Sequence, residues 1–140
     1  EHLENCDVLV MSAAVGDFAP QTLEKEKIKK QGAAGLVLKL VPTKDILLEV
    51  TKRKSGKLVV GFAAESQNLV ESGLAKLKKK NLDLIVANDI SAPGIGFQSD
   101  SNQVTIIDRE EKIENLPLKP KREIADILLD RILARFKNPE

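Results

Sequence analysis

Two apolar segments, Lys57-Leu-Val-Val-Gly-Phe-Ala63 and Leu82-Asp-Leu-Ile-Val-Ala87, decide the fold class. Short and nearly continuous apolar runs of this kind are typical of strands that are buried on both faces of a parallel sheet. The residues between them, 66–80, carry leucine and valine at helical spacing, which predicts an amphipathic helix. A strand, a helix and a strand in this order predict two parallel strands with the helix packed against them.

The same alternation of strands and helices extends over the rest of the chain. Residues 7–15 predict a strand buried on both faces, and Thr43 is predicted to cap a helix that runs to about Lys52. The other predicted elements are strands over 36–41 and 103–108, a turn over 110–114 and a closing helix over 122–136, in which Phe136 is predicted to face the core. Two loops are also predicted: a mobile loop over 16–30 and a second loop over 88–102. We therefore predict one α/β domain over residues 1–140, a Rossmann-like three-layer fold with a mostly parallel sheet and helices on both faces.

The composition excludes several classes of protein. With 42% hydrophobic and 31% charged residues and a net charge of +1, the chain shows no general affinity for nucleic acid or for a membrane. No apolar run approaches the roughly 18 residues of a membrane helix. The single Cys6 allows no internal disulfide, and the first residues do not resemble a signal peptide, so the predicted location is the cytoplasm.

The beginning of the chain and its motifs limit the function further. The chain lacks an initiator methionine and enters a strand almost at once, so we expect a fragment whose preceding strand and helix are missing. One histidine excludes a multi-histidine metal site, and the sequence leaves the identity of any metal ligands unknown. No GxGxxG or GxxxxGK[ST] element occurs, which excludes the usual dinucleotide fingerprint and the P-loop.

Ligands of parallel sheets bind beyond the carboxyl ends of the strands, which directs attention to three junctions: 11–18, 62–66 and 88–96. In the first junction, small residues would let a base or phosphate approach the backbone, and Asp17 could hold a metal ion or a sugar; a tight turn with a solvated aspartate is the alternative. Phe62 suits base stacking, although a phenylalanine at such a position is more commonly part of the core. Asn88 suits base or amide recognition but equally suits a turn.

Lysines form two further candidates for contact with an anion. Lys27 lies in the charged loop 24–30 and could close over a phosphoryl group, although such a charge run is more often simply solvated. Lys76 and Lys80 lie four residues apart on one helix face and can reach the same anion. With little acidic compensation nearby in sequence, these lysines would repel each other unless an anion binds; interaction with the helix carboxyl end is the alternative.

Five segments, taken in order, resemble the phosphopantothenate–cysteine ligase family, also called phosphopantothenoylcysteine synthetase. They are Ala13-Ala-Val-Gly-Asp-Phe18, Glu26-Lys-Ile-Lys-Lys30, Gly61-Phe-Ala-Ala-Glu-Ser66, Lys80-Asn-Leu-Asp-Leu-Ile-Val-Ala-Asn-Asp-Ile-Ser91 and Gly96-Phe-Gln-Ser-Asp-Ser-Asn-Gln-Val104. Each motif is weak alone, but the ordered set is specific, and the resemblance runs from about Asp7 to Phe136. In bacteria this ligase is usually fused to a flavin-dependent decarboxylase, so any FMN would belong to that other domain.

The resemblance implies a reaction of coenzyme A synthesis. The carboxylate of 4′-phosphopantothenate attacks the α-phosphate of CTP, which gives an acyl-cytidylate and pyrophosphate. The amine of cysteine then displaces CMP and forms the amide. The resemblance also implies that Mg²⁺ shields the phosphates and that the enzyme is a homodimer with a site completed across the interface.

The resemblance assigns roles to particular residues of this chain. Lys27 matches the family's flap lysine and is the implied catalytic residue, linked to conversion of the acyl-cytidylate. The implied nucleotide contacts are Met11, Ser12, Ala13, Asp17, Lys27, Thr43, Lys44, Asp45, Ile46, Phe62, Lys76 and Lys80. The chain departs from the family where Thr43-Lys44-Asp45 replaces the frequent Asn-Pro-Asp, and where the usual glycine-rich opening of the domain is absent.

Three alternatives to the CTP-dependent ligase follow from the residues. The chain could be an ATP-using variant of the same ligase, as eukaryotic relatives are. It could instead be a nucleotide-binding module without complete catalytic activity. A Rossmann-like dehydrogenase is the third alternative, and the missing glycine fingerprint argues against it.

Overall fold

The computed structural model describes residues 2–13, 15–29, 35–91 and 99–137. Within these residues, a 3-10 turn, Leu3–Asn5, precedes the first strand. The strands are β1 (Val8–Met11), β2 (Phe18–Pro20), β3 (Leu40–Pro42), β4 (Leu58–Glu65), β5 (Leu84–Asp89), β6 (Ser101–Asp108) and β7 (Ile113–Pro120). The helices are α1 (Ile46–Thr51), α2 (Leu69–Lys79) and α3 (Lys121–Lys137).

The main sheet has the strand order β1-β4-β5-β6-β7. β1 pairs with β4, and β4 with β5, in parallel, with Val8 opposite Leu58 and Val60 opposite Leu84. β6 runs antiparallel to both β5 and β7. Every strand except β6 therefore points the same way, and the predicted mostly parallel sheet is confirmed.

Helices cover both faces of the sheet, which confirms the predicted three layers. On one face, α3 packs on the central strands through a core cluster that includes Val60, Val86, Ile106, Leu128 and Ile132. On the other face, α1 and α2 pack through a cluster that includes Leu47, Val59, Leu77, Ile85 and Ile107. Among the described residues, no helix is both long enough and apolar enough to cross a membrane.

Glycines at two positions allow the layers to lie close together. A Cβ atom on Gly61 would lie 2.7 Å from Leu82 Cδ1 and 3.3 Å from Leu47 Cδ1, closer than packed side chains tolerate. A Cβ atom on Gly73 of α2 would lie 2.9 Å from Ile107 Cδ1. The absence of a side chain at these positions thus sets the distance between the sheet and the α1–α2 layer.

The structure corrects the predictions for the first half of the chain. Residues 36–41 do not form a strand of the main sheet: only Leu40–Pro42 is a strand, and it pairs antiparallel with β2 in a separate two-stranded sheet. The predicted loop over 16–30 accordingly contains the strand β2. β1 is shorter than predicted and half-buried, with Val10 41% exposed, because it lies at an edge of the described sheet. We name residues 18–42 the arm.

Two predictions for the last third of the chain are also wrong. The predicted turn over 110–114 includes the start of β7, a strand that was not predicted and that contains Pro117 and Pro120. Proline is tolerated there because β7 is an edge strand and its pairing with β6 is irregular between Asn102 and Val104. Phe136, predicted to face inward, is 47% exposed near the end of α3.

A buried carboxylate ties the amino ends of the central strands together. Asp83 Oδ2 accepts hydrogen bonds from the Val59 N–H at 2.8 Å and from Lys54 Nζ at 3.0 Å. Its Oδ1 lies 2.7 Å from a guanidinium nitrogen of Arg109. The Asp83 side chain is only 10% exposed, so its charge depends on these partners.

We predict that Asp83→Ala lowers the free energy of unfolding by about 2–4 kcal/mol, because it leaves a buried N–H and the Lys54 ammonium without an acceptor. Denaturant unfolding measures the loss. Glu49→Ala is the matched control, since Glu49 pairs with Lys52 on the protein surface, and it should leave the unfolding midpoint close to that of the wild-type protein. Equal losses in the two variants would contradict the account of Asp83.

Candidate nucleotide site

A cavity of about 230 Å³ lies beside the carboxyl ends of β1 and β4 and the amino end of α1. Its lining residues are Met11, Ala13, Val15, Asp17, Thr43, Lys44, Asp45, Ile46, Leu47, Phe62, Ala63, Ala64, Lys76 and Lys80. The structure therefore brings together all of the predicted site residues except Ser12 and Lys27. The sequence reading missed Val15, Leu47, Ala63 and Ala64, although the two alanines directly follow Phe62 at the end of a predicted strand.

Strand register explains why distant segments meet at this cavity. Met11 lies opposite Gly61 in the parallel pairing of β1 with β4, so the residues that follow each strand emerge side by side. Thr43 directly follows the arm and bonds to the residues that directly precede it: the Thr43 N–H donates to the Asp17 carbonyl at 2.9 Å. Its hydroxyl donates to the Gly16 carbonyl at 2.6 Å.

The amino end of α1 is capped by Asp45 and not, as predicted, by Thr43. Asp45 Oδ1 accepts a hydrogen bond from the Leu48 N–H at 3.1 Å, and α1 begins at Ile46. A carboxylate at this position satisfies one of the unpaired N–H groups of the first turn and interacts favourably with the helix dipole. Thr43 lies two residues before this cap position, and its hydroxyl donates to the Gly16 carbonyl instead.

Phe62 has two kinds of neighbour. It lines the cavity, and it also packs against the core cluster on the α3 face of the sheet. The residue is half-buried, as expected for a ring at the boundary between core and cavity. Both readings of Phe62 from the sequence, ligand contact and core packing, therefore describe surfaces that it has.

The lysines of α2 are compensated by carboxylates from other elements, which the sequence reading did not predict. Lys76 Nζ lies 2.6 Å from Glu65 Oε1, and Lys80 Nζ lies 2.9 Å from Asp45 Oδ2. Lys78 pairs with Glu111 at 2.6 Å. The expectation that these lysines would lack acidic partners is wrong because the partners are distant in sequence.

The pKa of Asp45 reflects this pairing. Burial by itself would raise the pKa of the Asp45 carboxyl, but hydrogen bonds from Lys80 and the Leu48 N–H, with the charges of Lys80 and Lys79, outweigh it. The net pKa is lowered from the ordinary value of 3.8. The Asp45 carboxyl is therefore ionised at neutral pH.

Ser12 and Lys27 stand apart from the cavity. Both are exposed, and neither lines it. Lys27 belongs to the arm, which joins the rest of the chain next to the cavity through Asp17 and Thr43. Lys30, at the end of the second quoted motif, lies outside the described residues.

The junction after β5 is described only in part. Asn88 Oδ1 is buried and has no hydrogen-bond partner among the described residues. Asp89 Oδ1 accepts hydrogen bonds from the N–H and hydroxyl of Ser91 at 2.8 Å and 2.6 Å, which is turn chemistry. Gly94, Gly96 and Phe97, also considered from the sequence, lie outside the described residues.

A larger cavity of about 750 Å³ lies at the opposite, amino ends of the parallel strands, and the sequence reading missed it. Its charged groups neutralise one another. Arg131 makes two hydrogen bonds to Glu114, at 2.6 Å and 2.7 Å, which lower the pKa of Glu114. Arg135 bonds both Asp108 and Glu110. Pairing of this kind occurs in both cavities, so position decides between them: the smaller cavity lies at the carboxyl ends of the parallel strands and contains ten of the twelve predicted site residues, which makes it the better candidate site.

No group of three or more His, Cys, Asp or Glu side chains suited to a metal ion occurs in the described part of the chain. The smaller cavity contains two carboxylates, Asp17 and Asp45, and Asp45 is committed to Lys80 and to the α1 cap. This set fits Mg²⁺, which commonly binds one or two protein carboxylates and takes its other ligands from phosphates and water.

Comparison with known sequences identifies the family. The sequence profile described as the DNA/pantothenate metabolism flavoprotein C-terminal domain matches residues 1–136. The chain belongs to this family. The matched residues include every residue that lines the smaller cavity, so the candidate site lies wholly inside the family's domain.

Curated relatives and a solved structure agree with this membership. The chain is 43% identical over 131 residues to the coenzyme A biosynthesis bifunctional protein CoaBC of Bacillus subtilis (strain 168), covering 94% of this chain and 32% of that protein. It is 42% identical over 134 residues to a cysteine/cysteine sulfinic acid decarboxylase from an unknown prokaryotic organism, covering 95% and 37%. The chain thus spans about a third of the length of these relatives.

The family fold is shared with the crystal structure of the C-terminal domain of the coenzyme A biosynthesis bifunctional protein CoaBC. The two superpose with a TM-score of 0.77 at 32% identity, over 98% of this chain and 58% of that chain. This similarity confirms the Rossmann-like α/β fold predicted from the sequence.

Proposed function

We propose that the chain is part of a phosphopantothenate–cysteine ligase of coenzyme A synthesis, with CTP as the activating nucleotide. The observation that supports the proposal most is the convergence, on one cavity, of residues from four separate segments, including Ala13, Thr43, Phe62 and Lys80. Similarity to CoaBC proteins over more than nine-tenths of this chain supports the same conclusion. The protein would act in the cytoplasm, fused to a flavin-dependent decarboxylase that holds the FMN.

In the proposed reaction, a carboxylate oxygen of 4′-phosphopantothenate attacks the α-phosphorus of CTP and pyrophosphate leaves. The cysteine amine then attacks the acyl carbon, and CMP leaves. Lys76 and Lys80 would bind the triphosphate, because both line the cavity and carry the positive charge that a polyphosphate requires. The base and ribose would lie along the strand-end residues, with Asp17 and Phe62 beside them.

Mg²⁺, when bound, would neutralise phosphate charge, with Asp17 as the cavity carboxylate available to hold it. The cavity volume of about 230 Å³ is below the roughly 300–1,000 Å³ of typical ligand sites. The cavity therefore fits part of the nucleotide, and other surfaces must complete the site. The arm, which carries Lys27, begins next to the cavity and is one such surface.

The direct test is pyrophosphate release by the full-length protein with 4′-phosphopantothenate. We predict release with CTP, and formation of an amide once cysteine is added. Release with ATP in place of CTP would favour the ATP-using variant. Nucleotide binding without pyrophosphate release would favour the non-catalytic module, and release of CO₂ from cysteine without nucleotide would favour the activity named for the decarboxylase relative.

In the same assay, Lys27→Gln should leave CTP affinity nearly unchanged while amide formation falls by at least about a hundredfold, because the charge that closes over the reacting phosphoryl group is lost. Lys25→Gln and Lys29→Gln are matched controls on the same exposed part of the arm and should retain activity. Wild-type turnover by Lys27→Gln would remove Lys27 from the mechanism.

We predict that Lys76→Ala combined with Lys80→Ala weakens CTP binding by roughly tenfold or more, while cytidine binding changes by less than about twofold. The reason is that the two lysines would contact phosphates and not the nucleoside. Calorimetry measures both affinities. Lys78→Ala with Lys79→Ala is the matched control, since these lysines end the same helix without lining the cavity. Equal losses for CTP and cytidine would contradict phosphate contact.

The proposed enzyme is a homodimer, and the arm supports this part of the proposal. Its described residues expose several large apolar side chains, among them Phe18 at 63%, Leu23 at 87% and Val37 at 93%. Exposed apolar surface of this kind commonly marks an interface between proteins. A second copy of the chain bound against the arm would cover it.

We predict that Leu36→Asp with Val37→Asp converts a dimer into monomers in sedimentation experiments at micromolar concentration, because two charges would be buried without partners. Leu133→Asp, at a 54% exposed position of α3, is the matched control and should remain dimeric. A monomeric wild-type protein, or an arm variant that remains dimeric, would contradict the proposal that the arm forms the dimer interface.

A further inference from the structure

Each of the two cavity lysines on α2 is held by a carboxylate in the described structure. Glu65 binds the ammonium of Lys76 at 2.6 Å, and Asp45 binds that of Lys80 at 2.9 Å. Glu65 ends β4 and Asp45 precedes α1, so the two carboxylates come from different elements. The groups best suited to bind a polyphosphate are thus already paired with anions of the protein itself.

Each carboxylate residue makes a further contact besides its lysine, although the Asp45 side chain, at 38% exposed, is more open than that of Lys80, at 25%. Asp45 is held by its hydrogen bond from the Leu48 N–H, and the Glu65 carbonyl accepts a hydrogen bond from the Ile90 N–H at 3.0 Å. The Glu65 side chain is only 15% exposed, whereas that of Lys76 is 45% exposed. A lysine ammonium ends a flexible four-carbon chain, so it can turn toward a ligand while the carboxylate stays in place.

A phosphate that binds these lysines competes directly with the two carboxylates. The phosphate must either share the lysines with the carboxylates or displace the carboxylates from them. The negative charges of the carboxylates also repel the phosphate at short range. A polyphosphate, with several charges to distribute over both lysines, offsets this competition better than a single phosphate does. The carboxylates therefore weaken the binding of every phosphate ligand to these lysines.

We propose that Glu65 and Asp45 are competing anions that set the affinity of the cavity for polyphosphates. They release the lysines when a triphosphate binds and take them back when pyrophosphate leaves, which favours product release. This inference rests on the proposed function, because it concerns the same site and the same reaction. It assigns to Glu65 a role that the sequence reading did not, and to Asp45 a role other than nucleotide contact.

The test measures tripolyphosphate and pyrophosphate binding to the full-length protein by calorimetry. Glu65→Gln and Asp45→Asn remove the charge but keep a polar group of the same shape, and asparagine caps a helix as well as aspartate does. Each substitution should tighten binding of both ligands by roughly three- to tenfold, with a smaller effect at high salt. Pyrophosphate should also become a correspondingly stronger product inhibitor.

Glu49→Gln is the matched control, because Glu49 pairs with Lys52 at 2.6 Å on α1 but does not line the cavity. It should leave both affinities within about twofold of wild type. Thermal unfolding of each variant checks that the fold is intact. A purely structural role for the carboxylates would lower the melting temperature without tightening any phosphate ligand.

The outcomes separate this inference from the proposed function. Binding of tripolyphosphate by the wild-type protein, with no tightening in Glu65→Gln and Asp45→Asn, would overturn the inference and leave the ligase proposal standing. Binding of tripolyphosphate by Glu65→Gln or Asp45→Asn but not by the wild-type protein would support the inference, whatever reaction the site serves. Lack of binding by the wild-type protein and by every variant would overturn both.

Discussion

The parallel pairing of β1 with β4 is the constraint on which the candidate site depends. Because Met11 lies opposite Gly61, both strands end at the same edge of the sheet and deliver Ala13 and Phe62 to one cavity. β4 in turn is held by β5 and by the Asp83 carboxylate, which binds the Val59 N–H at the opposite end of the strand. The core thus determines where the strand ends lie, and α1 and α2 add their charged groups from the side.

Charge determines what the cavity can bind. Lys76 and Lys80 have carboxylate partners within the protein, so an anion that binds these two lysines exchanges one partner for another. Such an exchange makes binding sensitive to the charge of the ligand and to salt. In the larger cavity, arginines and carboxylates are also matched to each other through short pairs such as Arg131 with Glu114. The two cavities differ in position, because the smaller one lies at the carboxyl ends of the parallel strands.

Much of this arrangement could be predicted from the sequence, because continuous apolar strands and an amphipathic helix are local signals. The strand-end junctions at 11–18 and 62–66 and the spacing of Lys76 and Lys80 indicated part of the cavity, whereas residues 43–46 entered only through the family resemblance. The partners of those lysines could not be predicted, since Glu65 lies eleven residues from Lys76 and Asp45 lies farther still from Lys80. β7 was not predicted, since local sequence patterns do not favour a strand that contains proline and cannot show that the strand pairs at the edge of a sheet. β3 was assigned to the main sheet because an apolar run does not reveal which strand it pairs with.

The most direct measurement is a crystal structure of the full-length protein with CTP bound. We predict that the triphosphate contacts Lys76 and Lys80 and that the nucleoside lies along the ends of β1 and β4. Both lysines should be turned away from Glu65 and Asp45. A nucleotide bound between Arg109 and Arg135 at the other end of the sheet, or bound in the smaller cavity with both lysine–carboxylate pairs intact, would contradict this prediction.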